Sequence, residues 1–178
     1  MHVRFSTVVG MSVVDEDGTE ELGRIAHILI HPDTGKVEGF FVKVPGLLLR
    51  TEMLFLATED IQRWGLRVVV RGPDVLSPVA ERIRLQTLLE DGRPVLLQRI
   101  QTDTGKYMGR CGDVQFETEH FMVEWLWPRK LWRWGMPLPL VLIVEVRKDA
   151  IVVRDPAAPA PEKTEREKAP MLKMPEVA

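Results

Sequence analysis

A chain of 178 residues accommodates one ordinary domain or two small ones, and its 45% hydrophobic content is that of a globular protein. The net charge of −2 excludes wholesale polyanion binding and leaves room only for a local basic patch. The single cysteine, Cys111, excludes an intramolecular disulfide framework and an all-cysteine zinc site, and fits a reducing, cytoplasmic compartment.

Met1 to Gly10 shows no charged-then-apolar leader pattern. Val8 to Val14 is an apolar run closed by Asp15-Glu16-Asp17-Gly18, which reads as strand, turn, strand. The stretch from Leu22 to Phe41 then forms two apolar strands folded about His31-Pro32-Asp33-Thr34-Gly35-Lys36. Alternation places Ala26, Ile28 and Ile30 on a core face and Ile25, His27 and Leu29 on the other. Val37 to Val44 ends at Pro45-Gly46, and the loop beyond, Leu47-Leu48-Leu49, is unusually apolar for a connection. After Met53 to Leu56, Thr58-Glu59-Asp60-Ile61 has the composition of a helix start, stopped within two turns at Gly65. Leu66 to Arg71 closes the unit, with Leu66, Val68 and Val70 inward and Arg67, Val69 and Arg71 outward. Ser77-Pro78 opens a predicted helix that runs to Gly92; its Val79, Ile83 and Leu89, with Leu85 and Leu88, need an apolar surface to cover.

The hairpin then recurs. Gly23-Arg24 returns as Gly109-Arg110 and Val69-Val70-Arg71 as Val152-Val153-Arg154, Asp103-Thr104-Gly105-Lys106 is the counterpart of the first turn, and Glu117-Thr118-Glu119-His120 stands where the first copy has its Pro-Asp-x-x-Gly turn. In the copy, Gly112, Val114 and Phe116 take the core face and Cys111, Asp113 and Gln115 the opposite one, so Leu29, replaced by Gln115, is expected in an interface. The expected fold is all-β: two small barrels in tandem joined by a short helix. The predicted units are 1–74, a helical linker 75–92, a divergent second repeat 93–155 and a disordered Pro/Ala/Glu/Lys tail 156–178. Units of this size have marginal cores, so the two are expected to pack together.

The order Asp15-x-Asp17-Gly18, Leu22-Gly23-Arg24-Ile25, His31-Pro32-Asp33-Thr34-Gly35-Lys36-Val37-Glu38-Gly39 and Glu59-Asp60-Ile61 before a valine strand resembles the PRC-barrel family. The resemblance covers Val8 to Arg71 and, more loosely, Val95 to Arg154. It implies a small, strongly bent β-barrel used for assembly, as in the cytoplasmic part of the photosynthetic reaction-centre heavy subunit and in a ribosome-maturation factor. No member is an enzyme by virtue of the barrel.

The residues agree with a non-enzymatic reading. His2, His27, His31 and His120 form no paired ligand motif, the two Asp-Thr-Gly-Lys stretches lack the glycine-rich loop running into a helix that a phosphate loop needs, and no nucleophile elbow is present. No catalytic residue, metal or cofactor is expected. One stretch stands apart: Trp125-Leu126-Trp127-Pro128-Arg129-Lys130-Leu131-Trp132-Arg133-Trp134 gathers four of the five tryptophans with three cations and no acid. Either these rings fill a small barrel or cover the linker helix, or, with Leu47, Leu48 and Leu49, they form a docking surface made of Trp127, Arg129, Lys130, Leu131, Trp132, Arg133 and Trp134. The leading expectation is an adaptor or scaffold with a protein partner, at a membrane-associated complex or by self-association. RNA or ribosome-precursor binding is the alternative. Peripheral contact with a bilayer is a third course, with no transmembrane segment: the longest apolar candidate, Gly135 to Val146, is short and carries two prolines.

Overall fold

The computed structural model describes residues 1–46 and 50–155; Leu47, Leu48, Leu49 and the tail 156–178 lie outside the described residues. The chain begins with β1 (His2–Arg4) and one helical turn, α1 (Phe5–Val8), followed by β2 (Ser12–Val14), β3 (Glu21–Ile30), β4 (Val37–Pro45), β5 (Thr51–Ala57), β6 (Ile61–Trp64) and β7 (Val68–Val70). Helix α2 (Ile83–Asp91) leads into β8 (Arg99–Thr102), β9 (Tyr107–Glu117), β10 (Val123–Lys130), β11 (Arg133–Trp134), β12 (Leu138–Pro139), β13 (Ile143–Val146) and β14 (Ala150–Val153).

The all-β class holds. The strands form two sheets, one ordered β5-β4-β3-β2-β7-β6 and the other β11-β10-β9-β8-β14-β13, with β12 added on β10 and β1 on β9. Neither sheet closes on itself among the described residues, where two small barrels in tandem were expected. The two paths nonetheless share an order: each has one parallel pair, β2 with β7 and β8 with β14, among antiparallel neighbours. They also share a defect. Ile25 pairs with Val42 and His27 with Phe41, leaving Ala26 as an extra residue in β3; Cys111 pairs with Pro128 and Asp113 with Trp127, leaving Gly112 extra in β9.

That bulge corrects the strict alternation read from the sequence, because one inserted residue moves every later side chain to the other face. Ile25 and Cys111, expected outside, are fully buried in the core, and Ile30, Val114 and Phe116 rejoin them beyond the bulge. Three smaller corrections follow the same logic of hydrogen bonding overriding composition. Val8 sits in α1, not a strand; Thr58–Asp60 is a single 3-10 turn that gives way at once to β6; and Val68–Val70 is buried on both faces while Leu66 is 99% exposed. Both Asp-Thr-Gly stretches are tight turns, with Gly35 and Gly105 at φ 72° and 85°, where glycine pays no side-chain penalty.

A single core joins the sheets. Phe40 of the first lies 5.9 Å from Phe116 and 6.3 Å from Phe121 of the second, and Trp64 fills the gap at 5.3 Å from Phe40 and 5.5 Å from Phe121. Backbone bonds stitch the same seam: the Val37 amide donates to the Phe121 carbonyl at 2.7 Å and the Val123 amide to the Gly35 carbonyl at 2.9 Å. Helix α2 starts later than predicted, because Ser77 is held in a backbone bridge to Phe55 and residues 79–81 take a 3-10 turn; it ends as predicted, on Gly92 at φ 66°. Its Leu85 packs on Phe55 and Ala57, with Leu29 and Phe41 beside them, so Leu29 does lie in an interface, while Ile83 faces solvent at 86% exposure. The helix therefore covers the outer face of the first sheet and not the tryptophan stretch.

Arg93 anchors the end of α2. Its guanidinium donates to both Asp33 oxygens at 2.6 and 2.8 Å, to Asp91 at 2.8 Å and to the Val146 carbonyl at 3.0 Å, tying helix, first turn and second sheet together. Hydrogen bonds from Arg93 hold the Asp33 and Asp91 carboxyls below the ordinary 3.8. A carboxyl depressed in the folded state contributes stability that is complete above its unfolded value and is lost as pH falls through the folded one. Arg93→Met is therefore expected to flatten the acid limb of a stability-against-pH curve below pH 3.8 and to leave its shape near neutrality unchanged, which urea titration at several pH values checks.

Candidate docking surface

Along β10 the buried residues Val123, Leu126 and Pro128 face the core, so Trp125, Trp127 and Arg129 project outward. Lys130 pairs with Arg133, leaving Leu131 and Trp132 as a two-residue turn. Leu131 adopts φ 51°, a left-handed conformation that costs a residue with a Cβ about 1–2 kcal/mol. Leu131 is 84% and Trp132 89% exposed, so a strained backbone presents two large apolar side chains to solvent.

The base of this hairpin is closely packed. Trp134 lies across the bulge, where Gly112 is required: a Cβ there would come within 2.9 Å of both the Trp134 ring and the Arg129 Cβ. The Arg4 guanidinium sits over Trp127 at 4.2 Å and over Trp134 at 5.0 Å from the ring centroids, cation–π contacts that bind the N-terminal strand to the tryptophans. Arg4 in turn donates to Asp113 at 2.9 Å. That carboxylate, 1% exposed, also accepts from the Ser6 amide at 3.0 Å, the Ser6 hydroxyl at 2.6 Å and the Val114 amide at 2.9 Å. Asp113, read from the sequence as an outward polar site, is a buried charge clamp for residues 1–8.

Of the residues predicted for docking, Trp127, Arg129, Lys130, Leu131, Trp132, Arg133 and Trp134 form one continuous feature; Leu47, Leu48 and Leu49 fall outside the described residues. Sequence reasoning missed what lies beside it. Arg99 of β8, Arg110 of β9 and Arg129 of β10 are direct cross-strand neighbours in one row, and Tyr107 stands at its edge. The only trace in the sequence was an arginine recurring at strand positions whose mutual register could not be read.

The remaining candidates settle into structural roles. Cys111 is buried and desolvation pushes its thiol up to about 12, so it carries no thiolate chemistry near neutral pH. Glu117, Glu119 and His120 approach one another, yet the Glu117 carboxylate is engaged by the amides of Glu119 and His120, both at 2.7 Å, and so holds the turn. Among the described residues no helix is long and apolar enough to cross a membrane.

The first sheet ends where Ser77 bridges back to Phe55. Residues 1–77 match the family model of the PRC-barrel domain. No curated protein matches the chain.

Proposed function

We propose that this protein is a non-enzymatic assembly scaffold, in which residues 93–155 are a second, divergent PRC-barrel unit and the β10–β11 hairpin docks the body onto a larger complex. The second unit is supported by the shared strand order and by the bulge at Ala26 repeated at Gly112. The observation that carries the docking role is the hairpin tip, where exposure of Leu131 and Trp132 coincides with backbone strain above a closely packed base. Folding alone gains nothing from either. Relieving the strain with Leu131→Gly is expected to raise stability by about 1 kcal/mol. Combined with Trp132→Ala, the same change is expected to abolish capture of binding partners from native lysate. Unchanged capture by the double variant would reject the hairpin as the docking element.

A further inference from the structure

The hairpin borders a cleft of about 540 Å³ lined by Leu97, Tyr107, Arg110, Gly112, Arg129, Lys130 and Leu131. Its cations are crowded and unneutralised. Arg99, Arg110 and Arg129 stand directly opposite one another across three strands, an arrangement that like charges disfavour. None of Arg99, Arg110, Arg129, Lys130 or Arg133 forms an ion pair among the described residues. Their contacts inside the protein are weak substitutes: Arg99 lies 5.0 Å and the Lys130 Nζ 5.4 Å from the centroid of the same Tyr107 ring, Arg129 lies 5.7 Å from Trp134, and Arg110 donates to the Leu97 carbonyl at 3.0 Å.

The rim of the cleft is apolar and strained. Leu97, 71% exposed, sits at φ 64° as Leu131 does at 51°, so among the described residues two of the three at positive φ other than glycine are leucines at this one opening. Resting on the docking reading above, we infer that this face seats on an anionic phospholipid surface. Phosphate headgroups neutralise the arginine row while Leu97, Leu131 and Trp132 enter the boundary of the acyl chains. A nucleic acid would supply the phosphates and a stacking partner for Trp132, but nothing for two protruding leucines; a bilayer answers the cations, the ring and the aliphatic tips together.

Sedimentation of the full chain with vesicles tests this, using phosphatidylcholine alone and equal parts of phosphatidylcholine and phosphatidylglycerol. The expected result is pelleting with the anionic vesicles only, weakened by salt. Arg110→Gln with Arg129→Gln should lower the partition coefficient about 25-fold, each cation near such a surface being worth about five-fold. This variant removes like-charge repulsion, so its thermal melt should be no lower than that of the parent chain. Leu131→Ser with Trp132→Ser, both at solvent-exposed positions, should lose binding while keeping the fold. Equal binding to neutral vesicles, no binding to either, or retardation of single-stranded RNA without vesicle binding would each overturn the lipid assignment. Should vesicles fail while Leu131→Gly with Trp132→Ala still loses its captured partners, the docking role stands and only the lipid inference falls; if that variant also captures normally, both fall.

Discussion

Asp113→Ala is expected to destabilise the chain by about 3–5 kcal/mol, the range seen when one partner of a buried ion pair is removed. The side chain is almost fully enclosed and accepts from four donors: Arg4 Nε, the Ser6 amide, the Ser6 hydroxyl and the Val114 amide. Truncation leaves those donors facing a cavity, although Arg4, about a third exposed, can recover some solvation and holds the figure toward the lower end. The loss should be local in character. Residues 2–4, whose strand pairs with Phe116 and its neighbours, should exchange their amide hydrogens faster, and the emission of Trp127 and Trp134 should change as Arg4 leaves their faces. Asp113→Asn keeps the shape and an acceptor and should cost less than half as much. Urea denaturation of the three proteins checks the order.

Phe40→Ala has an effect of similar size but a different signature. Phe40 is fully buried at the seam and touches Trp64, Phe116 and Phe121, so its removal opens a cavity lined by both sheets; large-to-small changes of this kind cost about 3–5 kcal/mol. If the core is one body, the melt must remain a single transition displaced to lower temperature, reported identically by residues of either half. Splitting of the melt into two steps would show that each sheet has a core of its own.

What could be read in the sequence was local chemistry. The turn glycines at 35 and 105 and the helix-ending Gly92 adopt the positive φ that their types imply, whereas the run of rings and cations from Trp125 to Trp134 marked the hairpin but left open whether its tip would be exposed, as Leu131 and Trp132 are. What could not be read was register. The bulges at Ala26 and Gly112 invert alternation in mid-strand, so Ile25 and Cys111 were assigned outward and proved to be core. A clue was present in both copies: apolar residues spaced by three, Ile25 to Ile28 and Cys111 to Val114, fit neither a regular strand nor, with glycine beside them, a helix. Long-range pairing was harder still. Nothing near His2 announces that the first strand joins the second sheet, and so neither the Arg4–Asp113 clamp nor the stacking of Arg4 on the tryptophans could be foreseen. The arginine row has the same origin, since Arg99, Arg110 and Arg129 become neighbours only once three strands are aligned.

The docking role of the hairpin is tested most directly by a photoreactive phenylalanine analogue placed at position 132 of the full chain, illuminated in the cells that make the protein. Leu66 supplies the control, being a comparably exposed apolar side chain, at 99%, on the other sheet. Discrete adducts are expected from position 132 that disappear when Leu131 is also changed to Gly, with no corresponding adducts from position 66. Labelling from 132 that is no greater than from 66, or that survives Leu131→Gly undiminished, would contradict the docking role.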